Sequence, residues 1–225
     1  MKRYLNCLAR SVAALISLSS QSFAQETKQV TSSIKGPGFK IAESYSVLKS
    51  DPKIKHGPYQ AEFSSYREKG QYESGSPTGI WEASWNGELT FKYDYSNRKL
   101  LEDRGTKIIS SITQLDEQGN PVKELPLQSL YMGGDRKMLA ILVAAVRYPA
   151  EAQSYGSQGK VILSAILTPR GLQDIKAETN LGHKLEEETI RIFKLLPADG
   201  WLPVYVDGKV VPVRFKFNFN YTLSQ

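Results

Sequence analysis

The residues of this chain whose types could do chemistry are few and dispersed. His56 and His183 are its only imidazoles, and neither stands at a metal-ligand spacing from another His or Cys, so zinc chemistry is not expected. Cys7 is the only thiol and lies near the amino terminus. His183 follows Asp174 and Glu178 closely enough to imitate an acid-base pair, but Asn180-Leu181-Gly182 places it in a loop, where an imidazole is ordinarily solvated. Glu186, Glu187 and Glu188 suit the first turn of a helix, where carboxylates complement the macrodipole. Serines are plentiful, yet Glu73-Ser74-Gly75-Ser76 lacks the leading glycine of a nucleophile elbow. The sequence therefore predicts no catalytic residue, no metal ligand and no cofactor, and a protein that is not an enzyme.

Recognition is the chemistry left. From Val213 to Leu223 the chain alternates strictly: Val213, Phe215, Phe217, Phe219, Tyr221 and Leu223 share one face of a strand, and Arg214, Lys216, Asn218, Asn220 and Thr222 share the other. One face is packed and one solvated, and helices are expected over the aromatic side. Those helices are foreshadowed upstream. Residues 136–147 form an apolar run of helical length that stops at Tyr148-Pro149, and Pro149 can sit in the first turn of a second helical piece through Gln153. Val161 to Leu167 reads as a strand, Thr168-Pro169-Arg170-Gly171 as a reversal, and Leu172 to Thr179 as its antiparallel return. Lys184 to Leu196 places Leu185, Ile190, Ile192, Phe193, Leu195 and Leu196 on one helical arc. Asp207-Gly208 is the turn between Tyr205-Val206 and Val210-Val211, and Trp201 is expected to plug the core.

Residues 55–99 have a different grammar, rich in Gly, Tyr and Trp, with short alternating runs separated by turns. Trp81, Ala83 and Trp85 point to one face, Asn86-Gly87 supplies a tight turn, and Leu89, Phe91, Tyr93 and Tyr95 continue on the return strand. Such aromatics could stack on a glycan, but alternating rings on one strand face ordinarily form core. The segment resembles the MORN-type repeats in Gly79-Ile80-Trp81 and Tyr95-Ser96-Asn97. Ile108 to Leu115 adds a strand, with Asp116 to Pro121 as its turn, and Pro126 to Gly134 reads as a linker whose Asp135 suits a helix cap.

At the amino terminus, Lys2, Arg3 and Arg10 surround the approach to the apolar run Val12 to Leu18, and Ser22-Phe23-Ala24 has small residues where a signal peptidase reads. This order predicts a cleaved secretory signal over residues 1–24 and export to the periplasm, peripheral to the membrane at most; an uncleaved anchor is the rival. Cleavage removes Lys2, Arg3, Arg10 and no acid, so the formal charge of +6 falls to +3. Basic residues are scattered rather than clustered, which argues against nucleic-acid binding. The expected organisation is a signal at 1–24, an irregular segment at 25–54, a hairpin-repeat domain at 55–130 and a carboxy-terminal domain at 131–225.

Taken in order, Tyr148-Pro149-x-x-Ala152, Gly159-Lys160-Val161, the strand ending at Gly171, the amphipathic helix, Trp201-x-Pro203, Gly208-Lys209-x-Val211 and the closing strand resemble the TonB carboxy-terminal domain over residues from about 135 to 223. The resemblance implies an α+β fold, two helices packed on a three-stranded antiparallel sheet, preceded here by the mainly β hairpin-repeat domain. It implies a periplasmic domain that grips an outer-membrane receptor or other envelope protein and serves energy-coupled transmembrane transport. The receptor peptide would add as a strand along Pro212 to Tyr221, reading Arg214, Lys216, Asn218 and Asn220, with Tyr148 and Pro149 nearby; exposed edges also make a homodimer an expectation. Ala144-Ala145-Val146 replace the family's polar stretch before Tyr-Pro, and the stretch from 25 to 54 has only Pro37 and Pro52, too few for a stiff spacer. The alternative is an envelope protein whose repeat domain binds glycan or lipid and whose terminal domain tethers or dimerises it.

Overall fold

The computed structural model describes residues 26–223 apart from 37, 106 and 107, so the signal expected over 1–24 and the Pro37 of the spacer argument lie outside the described residues. Seven strands, β1 (Thr27–Gly36), β2 (Phe39–Leu48), β3 (Lys55–Phe63), β4 (Tyr66–Glu73), β5 (Ser76–Trp85), β6 (Glu88–Asp94) and β7 (Lys99–Asp103), form a meander in which spatial order is chain order. Tight turns build it. Between β5 and β6, Trp85 pairs with Glu88, and Asn86 and Gly87 carry φ of 50° and 82°, the positive angles that match strand twist. The irregular segment expected at 25–54 is instead the ten-residue pair β1 and β2. Thr27, Val30, Thr31 and Ile34 favour extended backbone, but β1 is mostly polar and has no fully buried residue, so no apolar alternation announces it.

The aromatic face of this sheet is buried: Tyr59, Tyr66, Tyr72, Trp81, Phe91 and Tyr93 all belong to the core. Tyr72 meets Trp81 edge-on at 5.2 Å, and the Trp81 indole donates to the carbonyls of Gln71 and Thr78, which satisfies its polar end. Gly70 is required beneath it, because a Cβ there would lie 2.1 Å from the indole. Leu89 departs from the expected face. Ala83 pairs with Phe91 but Ser84 with Leu89, leaving Thr90 as a bulge that turns Leu89 toward the outer groove.

The second sheet has the order β11-β10-β14-β8-β9, formed by β8 (Ile109–Leu115), β9 (Pro121–Glu124), β10 (Gly159–Thr168), β11 (Gly171–Ala177) and β14 (Val213–Tyr221). The three strands expected from the sequence are present as β11, β10 and β14, but the sheet has five. The additional strands come from the segment assigned to the repeat domain, so the boundary at 130/131 does not separate the sheets. Nor is 126–134 a free linker. Leu130, Tyr131 and Met132 are buried, and the Met132 amide donates to the Gly200 carbonyl at 2.7 Å. Trp201 packs against Tyr131, Phe193 and Phe215, as a core plug would.

Helix α1 (Gly134–Ala145) lies between the sheets; α2 (Ala150–Ser154), α3 (Leu185–Phe193) and the small hairpin β12 (Val204–Val206) with β13 (Lys209–Val211) complete the fold. Lys137 of α1 pairs with Glu68 of β4 at 2.5 Å, and Gly134 sits against Phe91, so one continuous core spans both sheets. The rings of Tyr59, Tyr72, Trp81 and Tyr95 pack on one another across the strands, while Tyr66 and Phe91 meet the start of α1. Asp135 does not cap its own helix, where Gly133 holds the cap position without a side-chain bond. Its carboxylate instead accepts the Ile108 amide at 3.1 Å, fastening the start of β8. Burial pushes the Asp135 carboxyl up to about 6.

Candidate functional site

Alternation along β14 is realised as expected. Val213, Phe215, Phe217, Phe219 and Tyr221 are buried beneath α3 and its neighbours; Lys216 and Asn220 are exposed, and Arg214 and Asn218 half-buried, on the opposite face. Phe193 of α3 lies 5.1 Å from Phe217, ring centre to ring centre. Thr189 ties α3 to the end of β14, because its hydroxyl bridges the Leu185 carbonyl and the Tyr221 hydroxyl.

From Val213 to Asn218 the edge of β14 is not free, which corrects the strand-addition site placed along Pro212 to Tyr221. On one side β10 pairs with it without interruption from Gly159↔Tyr221 to Leu167↔Val213. On the other side β8 pairs from Val213↔Gln114 to Phe217↔Ile109, and the Asn218 amide donates to the Ile108 carbonyl at 2.9 Å. Ile108, Ile109, Ile112 and Leu115 are buried as this strand is laid down. At about 1.5–3 kcal/mol for each buried apolar side chain, β8 is held by roughly 6–12 kcal/mol of apolar burial. A foreign peptide would gain about 1 kcal/mol net per main-chain hydrogen bond at the same place. Beta-8 is thus part of the fold and not a lid that a peptide can displace.

What β14 still offers is its solvent face. Arg214 stands across from Ile166 and Thr113, Lys216 from Ser164 and Ser111, and Asn220 from Lys160. The Asn218 side-chain carbonyl accepts the Ser110 hydroxyl at 3.3 Å. Glu178 is the acid nearest this ladder; the neighbouring Ser164 hydroxyl and then the Lys216, Lys176 and Arg214 cations lower its carboxyl below the usual range. One carboxylate at 4.0 Å from Lys216 leaves the stripe net basic, suited to an acidic partner surface.

Tyr148 and Pro149 stand apart from this ladder and have structural work. The Tyr148 hydroxyl donates to the Ser157 carbonyl at 2.5 Å while its ring meets Tyr221 edge-on at 5.4 Å; Pro149 occupies the cap position of α2, one residue before the helical turn. Here Ser157 also bonds His183 Nδ1 at 2.6 Å, and His183 stacks on Tyr155 at 4.4 Å. The pairing of His183 with Asp174 or Glu178 weighed from the sequence is replaced by this contact. His56 accepts the Ser74 amide and closes a turn.

Among the described residues the rings of Tyr59, Tyr72, Trp81 and Phe91 face the core rather than forming an exposed platform. The outer face of the repeat sheet forms a groove of about 700 Å³ whose charges are largely matched within the chain, Arg67 with Glu62 and Lys69 and Lys92 with Glu82. Sequence reasoning placed the strand that becomes β8 but missed its pairing with β14. The apolar spacing of β8 marks a strand, but nothing in it names β14 as the neighbour.

Among known families, residues 144–223 match the model described as Gram-negative bacterial TonB protein C-terminal. No curated protein and no solved structure matches the chain. The matched region holds α2, α3 and β10 to β14, so the strand that closes the β14 edge comes from outside it.

Proposed function

We propose that this chain, whose residues 144–223 carry a TonB-type carboxy-terminal domain, is a periplasmic protein-binding module that serves TonB-dependent transport and engages an outer-membrane receptor or other envelope protein through the face, not the edge, of β14. The observation that carries this reading is the ladder Arg214, Lys216, Asn218 and Asn220, accessible on a strand flanked by β10 throughout and by β8 from Val213 to Asn218. Face docking by side chains follows, and with it a salt-sensitive association, since exposed cations make their largest contribution to encounter and orientation. Binding rather than catalysis is the function assigned. No helix among the described residues is long and apolar enough to cross a membrane.

The test uses the full chain in intact cells, because a fragment beginning at 131 would lack β8 and expose the β14 edge. A photo-crosslinking residue at Lys216 or Asn220 is expected to capture a receptor or envelope protein, and Lys216→Glu combined with Arg214→Glu to reduce capture at least tenfold. Capture that survives the double charge reversal would refute face docking. Crosslinks confined to envelope glycans would favour the alternative of a glycan-binding protein.

A further inference from the structure

The strand edges of this molecule are unequally protected. Beta-9 has four residues and opens with Pro121; β11 is bulged where Asp174 carries φ 49° and its register with β10 shifts; β7 has five residues and a register shift against β6. Short length, proline, charge and bulges are the devices that keep an edge from pairing. Beta-1 is neither short nor bulged and carries no proline, and its only such device is a pair of lysines, Lys28 and Lys35. It runs ten residues with unbroken register from Thr27↔Leu48 to Gly36↔Phe39, and among the described residues no strand pairs with its outer side.

The polarity of that edge follows from one hydrogen bond. The Lys49 amide donates to the Glu26 carbonyl at 2.9 Å, directly across the ladder continued one step beyond Thr27↔Leu48. In an antiparallel pair, hydrogen-bonded and non-hydrogen-bonded residues alternate. The main-chain groups of Lys28, Val30, Ser32 and Ile34 therefore face β2, and those of Thr27, Gln29, Thr31, Ser33 and Lys35 point outward, unpaired. An extended segment laid along β1 would find five outward amides and five outward carbonyls.

Charge selects the occupant. Beta-1 contains Lys28 and Lys35 and no acid. Lys35 lies directly opposite Lys40 on β2, a like-charge pair that is unfavourable across a ladder, and Lys28 lies opposite Val47, which itself faces Lys55. Neither Lys28 nor Lys35 has a carboxylate within salt-bridge distance among the described residues. A second copy of the chain fits less well, because it would bring the same two lysines and no acid to the ladder. We infer that the outer edge of β1 is a strand-addition site for an extended acidic segment of a partner protein. The site lies outside the matched family region and does not depend on the β14 face.

The experiment titrates the full chain with an end-blocked, fluorescein-labelled ten-residue peptide of alternating Thr and Val, carrying Glu at its second and ninth positions, seven residues apart as Lys28 and Lys35 are. It is expected to bind at least tenfold more tightly than the same peptide with Lys in place of Glu. Thr31→Pro removes an outward amide without touching the β2 ladder, so it should weaken binding at least tenfold at an unchanged unfolding midpoint. Should that variant lose stability, Lys28→Glu with Lys35→Glu must reverse the peptide preference. Equal binding of both peptides, or no effect of Thr31→Pro in a folded protein, would overturn the site. A concentration-dependent dimer abolished by Thr31→Pro would overturn the partner and assign the edge to a second copy. Lys216→Glu with Arg214→Glu is expected to leave peptide binding unchanged, which separates this site from the β14 face.

Discussion

Two strands of this protein invite comparison, β14 and β1. Beta-14 has the more conspicuous sequence, with five buried side chains alternating with polar ones, and it lies in the interior of its sheet between β10 and β8. Beta-1 is mostly polar, nowhere fully buried and inconspicuous, and it carries a long edge with unbroken register. The difference teaches that side-chain alternation reports which face of a strand is packed, whereas the availability of its backbone depends on which strand arrives beside it. These are perpendicular directions in a sheet, and only the first is encoded locally.

The two sheets are joined through α1, and the largest expected effect comes from cutting that joint. Glu68 retains 1% and Lys137 9% side-chain exposure, so Lys137→Met should strand a buried carboxylate and cost about 3–5 kcal/mol in urea unfolding. Tyr66 is fully buried at this joint, and burial and the adjacent Glu68 carboxylate hold its phenol well above its ordinary value. Replacing both partners by apolar residues should cost less than Lys137→Met alone. The sheets should still unfold together in one transition, because they share a core.

Smaller, and directed at the strands themselves, is the contrast between Ile112 of β8 and Ile34 of β1. Ile112 is fully buried and Ile34 only half-buried. Ile112→Ala should cost roughly 2–5 kcal/mol and Ile34→Ala about 1 kcal/mol, read from denaturant midpoints. Equal costs would show that β8 is no more integral to the fold than an exposed edge strand.

Smaller still is the effect of Asp135, which fastens the start of β8. Its folded value of about 6 lies above the ordinary 3.8, so the folded state holds the proton more tightly than the unfolded chain. The stabilisation from this group is complete below about pH 4 and is lost as pH rises through 6, by up to about 3 kcal/mol. Asn at 135 can still accept the Ile108 amide. The stability difference between Asp135→Asn and the parent protein should therefore grow in favour of the variant from pH 4 to pH 7.5, and a constant difference would contradict the assignment.

Local chemistry made much of the fold legible. Asn86-Gly87 fixed the β5-β6 hairpin, Pro169 with Gly171 the β10-β11 reversal, and the aromatic comb from Val213 to Tyr221 the packed face of β14. Thr90 was not legible as a bulge, because a single inserted residue leaves the surrounding pattern intact. Beta-1 was invisible because it buries too little to impose a period. The ladder Arg214, Lys216, Asn218 and Asn220 was found by alternation, but its edge was misassigned: Ile109 and Ile112 reveal their own burial and not their partner, which a strand-to-strand contact between distant parts of the chain decides.

The direct test of β14 as an interior strand is native-state hydrogen exchange at the Asn218 amide, compared with the amides of Phe215 and Phe217 in the same strand. Bonded to the Ile108 carbonyl, the Asn218 amide should be protected to a degree comparable with its neighbours. Exchange at the rate of an unstructured amide, with Phe215 and Phe217 still protected, would mean that β8 does not hold this edge and that β14 is open to an incoming strand after all.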